Sequence, residues 1–242
     1  MKKLFILNAI FALSFLMPIL VRAQDFIFNP TLDPTAAMGY AAGEILRIDL
    51  KKKAGLSYNA TTKSTATNKI NFNYNSTPAL RQQAVTNIAK RLKTINPVMA
   101  HGLASLYGPG KADYQEMFKQ MVQPSGLPVD NAATALAACW EMGYIVVNNI
   151  QNAATVTPAM DRGVQRQVAG ILSQRVSLKS PVMMAQLGEE MKLQATLMAI
   201  SWQSAIKSGQ TETYRKSIAK QFRQMGLDLS LVRLSEQGLL RK

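Results

Sequence analysis

Few residues in this chain could do chemistry, and their types and spacing limit what that chemistry could be. Glu141 is the best single candidate. It is the only residue between Asn131 and Asn149 that carries a charge at neutral pH, in a stretch that reads as a buried helix, and burial would raise its pKa. An acid of that kind, sometimes with a second carboxylate, is what cleavage of a cell-wall glycan requires. The competing reading is a buried ion pair with Arg162, Arg166 or Lys192, the ordinary state of an interior acid, and it is the favoured one. The chain has only 14 acids, and Glu189-Glu190 and Asp113/Glu116 read as solvated helix positions, so a paired site has few members. Glu141→Gln separates the readings. Lost turnover with the fold intact would mark a catalytic acid, and lost folding would mark an ion pair.

Other chemistries have fewer residues to draw on. The chain has one histidine, His101, and one cysteine, Cys139, so a His/Cys zinc site cannot be assembled and no intramolecular disulfide can form. There is no helical His pair with glutamate between, no calcium-loop pattern, no phosphate-cradling glycine loop and no Gly-x-Ser-x-Gly elbow. No metal or cofactor is implied. His101 lies in a short helix between Pro97 and Gly108 with no partner motif and reads as a surface residue. Cys139 sits beside Trp140 on the buried helix and reads as buried and inert.

Basic residues are plentiful: Lys and Arg number 28, giving a formal charge of +14. Arg162 and Arg166 stand one turn apart. Lys216, Lys220 and Arg223 follow at i, i+4 and i+7, which puts them on one side of a helix. Such faces suit anionic company: an envelope protein, an acidic glycan or a lipid surface. Nucleic acid is disfavoured, because the Lys216/Lys220/Arg223 face lacks interleaved exposed aromatics and Tyr214 and Phe222 point inward.

The elements that must position these residues are helices. Asp130 to Asn149 carries Ala133, Leu136, Ala137, Trp140, Tyr144 and Val147 as an apolar stripe, with Ala135, Ala138, Met142 and Ile145 opposite. A helix apolar nearly all round is buried, so this one is the expected central post, capped by Asp130. Thr77-Pro78, Thr157-Pro158 and Ser180-Pro181 each place a hydroxyl residue before a proline, the pattern of an N-cap followed by the first helical position. They predict helices over Pro78 to Lys93, Pro158 to Ser177 and Pro181 to Lys207. Further helices are expected from Pro97 to Leu106, from Ala112 to Val122 and from Thr211 to Met225. Gly108-Pro109-Gly110, Gly209 and Gly226 act as stops. Leu227 to Lys242 reads as a tail whose Leu227, Leu229, Leu231, Val232 and Leu234 can dock. Ile70-Asn71-Phe72-Asn73-Tyr74 alternates strictly, as a short strand or an arm laid across a hydrophobic groove would. A partner strand could come from Phe26–Phe28.

The first 23 residues read as a targeting signal. Lys2 and Lys3 precede an apolar run from Leu4 to Val21, and Val21-Arg22-Ala23 supplies a cleavage site. Cleavage after Ala23 leaves 219 of the 242 residues and lowers the formal charge from +14 to +11, since Lys2, Lys3 and Arg22 depart with no acid. The expected organisation is a signal at 1–23, an arm with a short helix at 24–53, a flexible polar linker at 54–69 and a helical domain at 70–242. No transmembrane segment is expected in the mature chain, and the compartment is periplasm or medium.

Three features together resemble a family of exported bacterial proteins classed only as a domain of unknown function. They are the arm Asn71-Phe72-Asn73-Tyr74-Asn75-Ser76 leading to Arg81, the Ala-rich helix opened by Asp130-Asn131, and Met225-Gly226-Leu227-Asp228-Leu229 followed by Val232-Arg233-Leu234-Ser235-Glu236-Gln237-Gly238. The resemblance covers roughly Ile70 to Leu239. It implies export and a mostly helical domain, and it carries over no catalytic residues. The expected fold is all-α, an irregular bundle of about six helices with an extended N-terminal arm. The expected role is non-catalytic binding of an anionic or protein partner through Arg162, Arg166, Lys216, Lys220 and Arg223.

Overall fold

Thr77 and Thr157 do cap helices. The Thr77 hydroxyl accepts from the Leu80 amide at 3.2 Å, opening α1 (Pro78–Lys93), and the Thr157 hydroxyl accepts from the Met160 amide at 3.3 Å, opening α5 (Pro158–Ser173). Ser180 precedes α6 (Pro181–Lys207) with no side-chain cap, so there the proline alone marks the start. Asn96 caps α2 (Pro97–Tyr107) and Asp113 caps α3 (Tyr114–Val122). The central helix α4 (Ala132–Val147) is capped by Asn131, whose side chain accepts from the Thr134 amide at 3.0 Å. Asp130, the expected cap, is turned away to an ammonium group. The last helix is α7 (Thr211–Gln224).

The computed structural model describes residues 70–94, 96–173 and 180–242. The expected signal at 1–23, arm at 24–53, linker at 54–69, partner strand at Phe26–Phe28 and continuation of the fifth helix to Ser177 lie outside the described residues. Within them the fold is mostly α: seven helices, rather than about six, with one two-stranded sheet.

The post is α4. Eleven of its sixteen residues are buried, on every side of the helix. It packs along the length of α6, with α5 and α7 on its flanks. Met184, Leu187, Met191, Ala195, Met198 and Trp202 of α6 face this core, as their spacing predicts. On another side of α6, Leu193 and Ile200 join a second cluster with Val85, Ile88 and Leu92 of α1 and Leu103 of α2. A helix sandwiched between two cores has little room for a polar stripe, and α6 accordingly buries charges.

The tail forms a sheet that sequence reasoning missed. Strands β1 (Val232–Ser235) and β2 (Gly238–Arg241) pair antiparallel, with Val232 opposite Arg241 and Ser235 opposite Gly238. Gly238, at φ 109°, completes the turn. The hairpin lies on α5, where the Gln167 amide stands in for a third strand: it accepts from the Leu239 N–H at 2.8 Å and donates to the Leu239 carbonyl at 2.9 Å. Leu229 and Leu239 enter the core, whereas Leu231, expected to dock, is 54% exposed.

The 70–76 segment is an arm laid across a groove. Ile70, Phe72 and Tyr74 turn inward against the main core, and Asn71, Asn73 and Asn75 turn out. Its partner is the entrance to α4. The Tyr74 amide donates to the Asp130 carbonyl at 3.0 Å, the Ala132 amide donates to the Phe72 carbonyl at 2.9 Å, and Asn73 bridges Asn131 antiparallel.

Candidate functional site

Beneath the arm lies the densest group of ionisable side chains among the described residues. Glu189 and Lys192, one turn apart on α6, are both fully buried. Lys192 Nζ donates to Asp130 Oδ1 at 2.7 Å, to Gln115 Oε1 at 2.9 Å and to Glu189 Oε1 at 2.9 Å. The other Glu189 oxygen accepts from the Tyr114 hydroxyl at 2.7 Å. Gln115 Nε2 donates to Asp130 Oδ1 at 2.8 Å. The Tyr74 ring stacks over the ammonium at 4.9 Å and the Phe118 ring lies at 5.8 Å. The solvated positions expected for Glu189 and Glu190 are therefore a misreading. Glu190 is also buried, held by Arg91 Nη2 at 2.8 Å and by Asn87 Nδ2 at 3.1 Å.

The arrangement closes on itself. An ammonium has three donors, and Lys192 spends all three. Both Glu189 oxygens are committed. The cluster thereby ties α3, α6, the entrance to α4 and the arm together. Burial, then the charge of Glu189, pushes the Tyr74 and Tyr114 hydroxyls well above the ordinary tyrosine range, and both stay neutral. Tyr74 Oη is buried near Glu189 without a well-formed hydrogen bond.

Asp130 is the exposed end of the cluster, with its side chain 40% accessible. Burial alone would raise its carboxyl, but hydrogen bonds from Lys192 and Gln115 and the charges of Lys192 and Arg81 outweigh that and hold it below the ordinary range. A depressed folded pKa contributes stability that is complete above the unfolded value and is lost as the pH falls through the folded one. Asp130→Asn should therefore flatten the acid limb of a stability-against-pH curve and leave its neutral-to-alkaline shape unchanged. Equilibrium urea melts across that range check this.

The residues singled out from the sequence do not converge. Glu141 is half-buried on α4, and the donors of Lys192, one of its expected partners, are spent elsewhere. Arg162 donates to the Ser125 carbonyl at 3.2 Å and Arg166 to the Glu236 carbonyl at 2.9 Å, both from exposed positions on α5. Lys216 is 77% exposed, with Glu212 at 3.5 Å. Lys220 and Arg223 are exposed and have no carboxylate partner among the described residues. Arg215, which sequence reasoning passed over, anchors α7: its guanidinium donates twice to the Val147 carbonyl at the end of α4, at 3.0 and 3.2 Å. His101 is exposed. Cys139 is buried, and burial pushes its thiol up to about 12. No three metal-ligating side chains cluster among the described residues, and none of the described helices is long and apolar enough to cross a membrane. No protein-family model, curated protein or solved structure matches the chain.

Proposed function

We propose that this is an exported, non-catalytic helical protein of the periplasm or medium that binds an anionic or protein partner through the basic faces of α5 and α7. One observation carries the reading: the basic side chains Lys216, Lys220 and Arg223 of the α7 face are exposed and are not consumed by the fold. Lys220 and Arg223 extend into solvent without a carboxylate partner among the described residues, and Lys216 has only a long contact to Glu212. Arg215, one residue from Lys216, is by contrast tied to Val147 and Glu212. Arg162 and Arg166 present a second exposed pair on α5, each also donating to a backbone carbonyl, of Ser125 and Glu236 respectively. Clustered like charges at exposed positions steer an oppositely charged partner more than they stabilise a fold. The closure of the Glu189/Lys192 cluster and the inert Cys139 favour binding over catalysis.

Charge reversal tests this. Lys216→Glu, Lys220→Glu and Arg223→Glu together should leave the melting curve nearly unchanged, because exposed substitutions of this kind shift stability by about 0.5 kcal/mol or less. The same change should abolish salt-sensitive association with the partner. Binding that survives the triple change intact would remove these residues from the interface.

A further inference from the structure

A cleft opens on a different part of the surface, where α1, the end of α2 and the start of α3 meet. Its cavity volume is about 140 Å³. Arg81 and Gln82 line one wall, and Lys111 and Asp113 line the other. Tyr107 and Tyr114 also line it, packed edge to face with ring centroids 5.9 Å apart. Their hydroxyls are turned to Met117 Sδ and Glu189, and both residues are buried, so they close the bottom of the cleft rather than form an open apolar wall.

The polar groups are held in place. Arg81 is fixed by the Ser76 hydroxyl at 3.1 Å and by Asp113 Oδ2 at 2.9 Å, and only 17% of its side chain is exposed. Lys111 sits on a turn made by Gly110 at φ 72°, its amide donating to the Gly108 carbonyl at 3.0 Å. The Lys111 ammonium and the Gln82 amide have no hydrogen-bond or ion-pair partner among the described residues, so both remain available. Arg81 and Lys111 against Asp113 leave one surplus positive charge. That balance fits a single negative charge better than a doubly charged phosphate, and the Arg81 guanidinium already donates to the Asp113 carboxylate. We propose that this cleft binds a small monocarboxylate, the carboxylate meeting Lys111, Gln82 and Arg81. Two sources share this chemistry: a free short-chain acid and the carboxyl end of a polypeptide. The site is independent of the basic faces of α5 and α7.

The test is calorimetric titration of the purified chain with isovalerate, its neutral amide, inorganic phosphate and a tetrapeptide ending in valine as free acid or amide. Binding should be saturable for isovalerate, for the free-acid peptide or for both, and absent for the amides. Preference for isovalerate marks a small-molecule site, and preference for the peptide marks a chain-terminus site. Lys111→Glu alters an exposed residue and should keep the fold while weakening the acid at least about tenfold, the effect of losing a charge-assisted hydrogen bond. Gln82→Ala should weaken it less. No saturable binding, equal binding of phosphate and acid, or binding unchanged by Lys111→Glu would overturn the proposal.

Discussion

Lys192→Met is expected to destabilise the protein by about 3–5 kcal/mol, the effect of breaking a buried ion pair from one side. The ammonium is fully buried and satisfies Glu189 and Asp130 together. Removing it leaves the buried Glu189 carboxyl without its cation, although the Tyr114 hydroxyl still donates to it. Methionine matches the length of the lysine stem, so lost packing contributes little. The midpoint of a urea melt should fall with its slope unchanged, as it does when stability alone is altered. Lys192→Met combined with Glu189→Gln should recover part of the loss, because the uncompensated charge is gone. Full additivity of the two changes would mean that the residues do not act as a unit. A loss below about 1 kcal/mol for Lys192→Met would match an exposed pair and exclude the buried one.

The second large effect is expected at Gly188. A Cβ there would lie 2.3 Å from the Tyr74 ring, inside any real contact distance. Tyr74 is held on its other sides by the Lys192 ammonium and by the backbone pairing of the arm to Asp130. Gly188→Ala should therefore lift the arm, costing about 1–3 kcal/mol as overpacking does. Hydrogen exchange would localise the change: the Tyr74 and Ala132 amides, which bond across the arm, should lose protection while the middle of α4 keeps it. Adding Tyr74→Ala should make alanine at 188 nearly free of further penalty, since the clashing ring is gone. Protection retained at both amides in Gly188→Ala would show that the arm is held without Tyr74.

The helices were legible where local chemistry decides them. Thr77-Pro78 and Thr157-Pro158 state a capping bond and a tolerated proline, and both helices begin there. The spacing of Met184, Leu187, Met191 and Met198 predicts the face of α6 that meets the main core. The alternation from Ile70 to Tyr74 predicts an arm with its apolar side down, although its partner is Asn131 on the far side of a long sequence gap. What sequence reasoning missed depends on tertiary contacts. Glu189-Glu190 resembles any solvated pair until α6 is seen to have cores on two sides, and Asp130 resembles an N-cap until Lys192 claims its carboxylate. The hairpin has four-residue strands and a Glu236-Gln237 turn without the Asn-Gly signature, and Gln167 of α5 supports its edge. Glu141 stood out because it is the only charge in an apolar stretch, yet the buried charges are Glu189, Glu190 and Lys192 of another helix, α6.

The most direct test of the proposed role is recovery of a partner from envelope fractions on the immobilised chain at low and at high salt, with the Lys216/Lys220/Arg223 triple reversal in parallel. The basic-surface account predicts one defined partner, retained at low salt, released at high salt and absent with the reversed face. A partner held equally at both salts and by both proteins, or indiscriminate salt-sensitive adhesion to every polyanion, would contradict it.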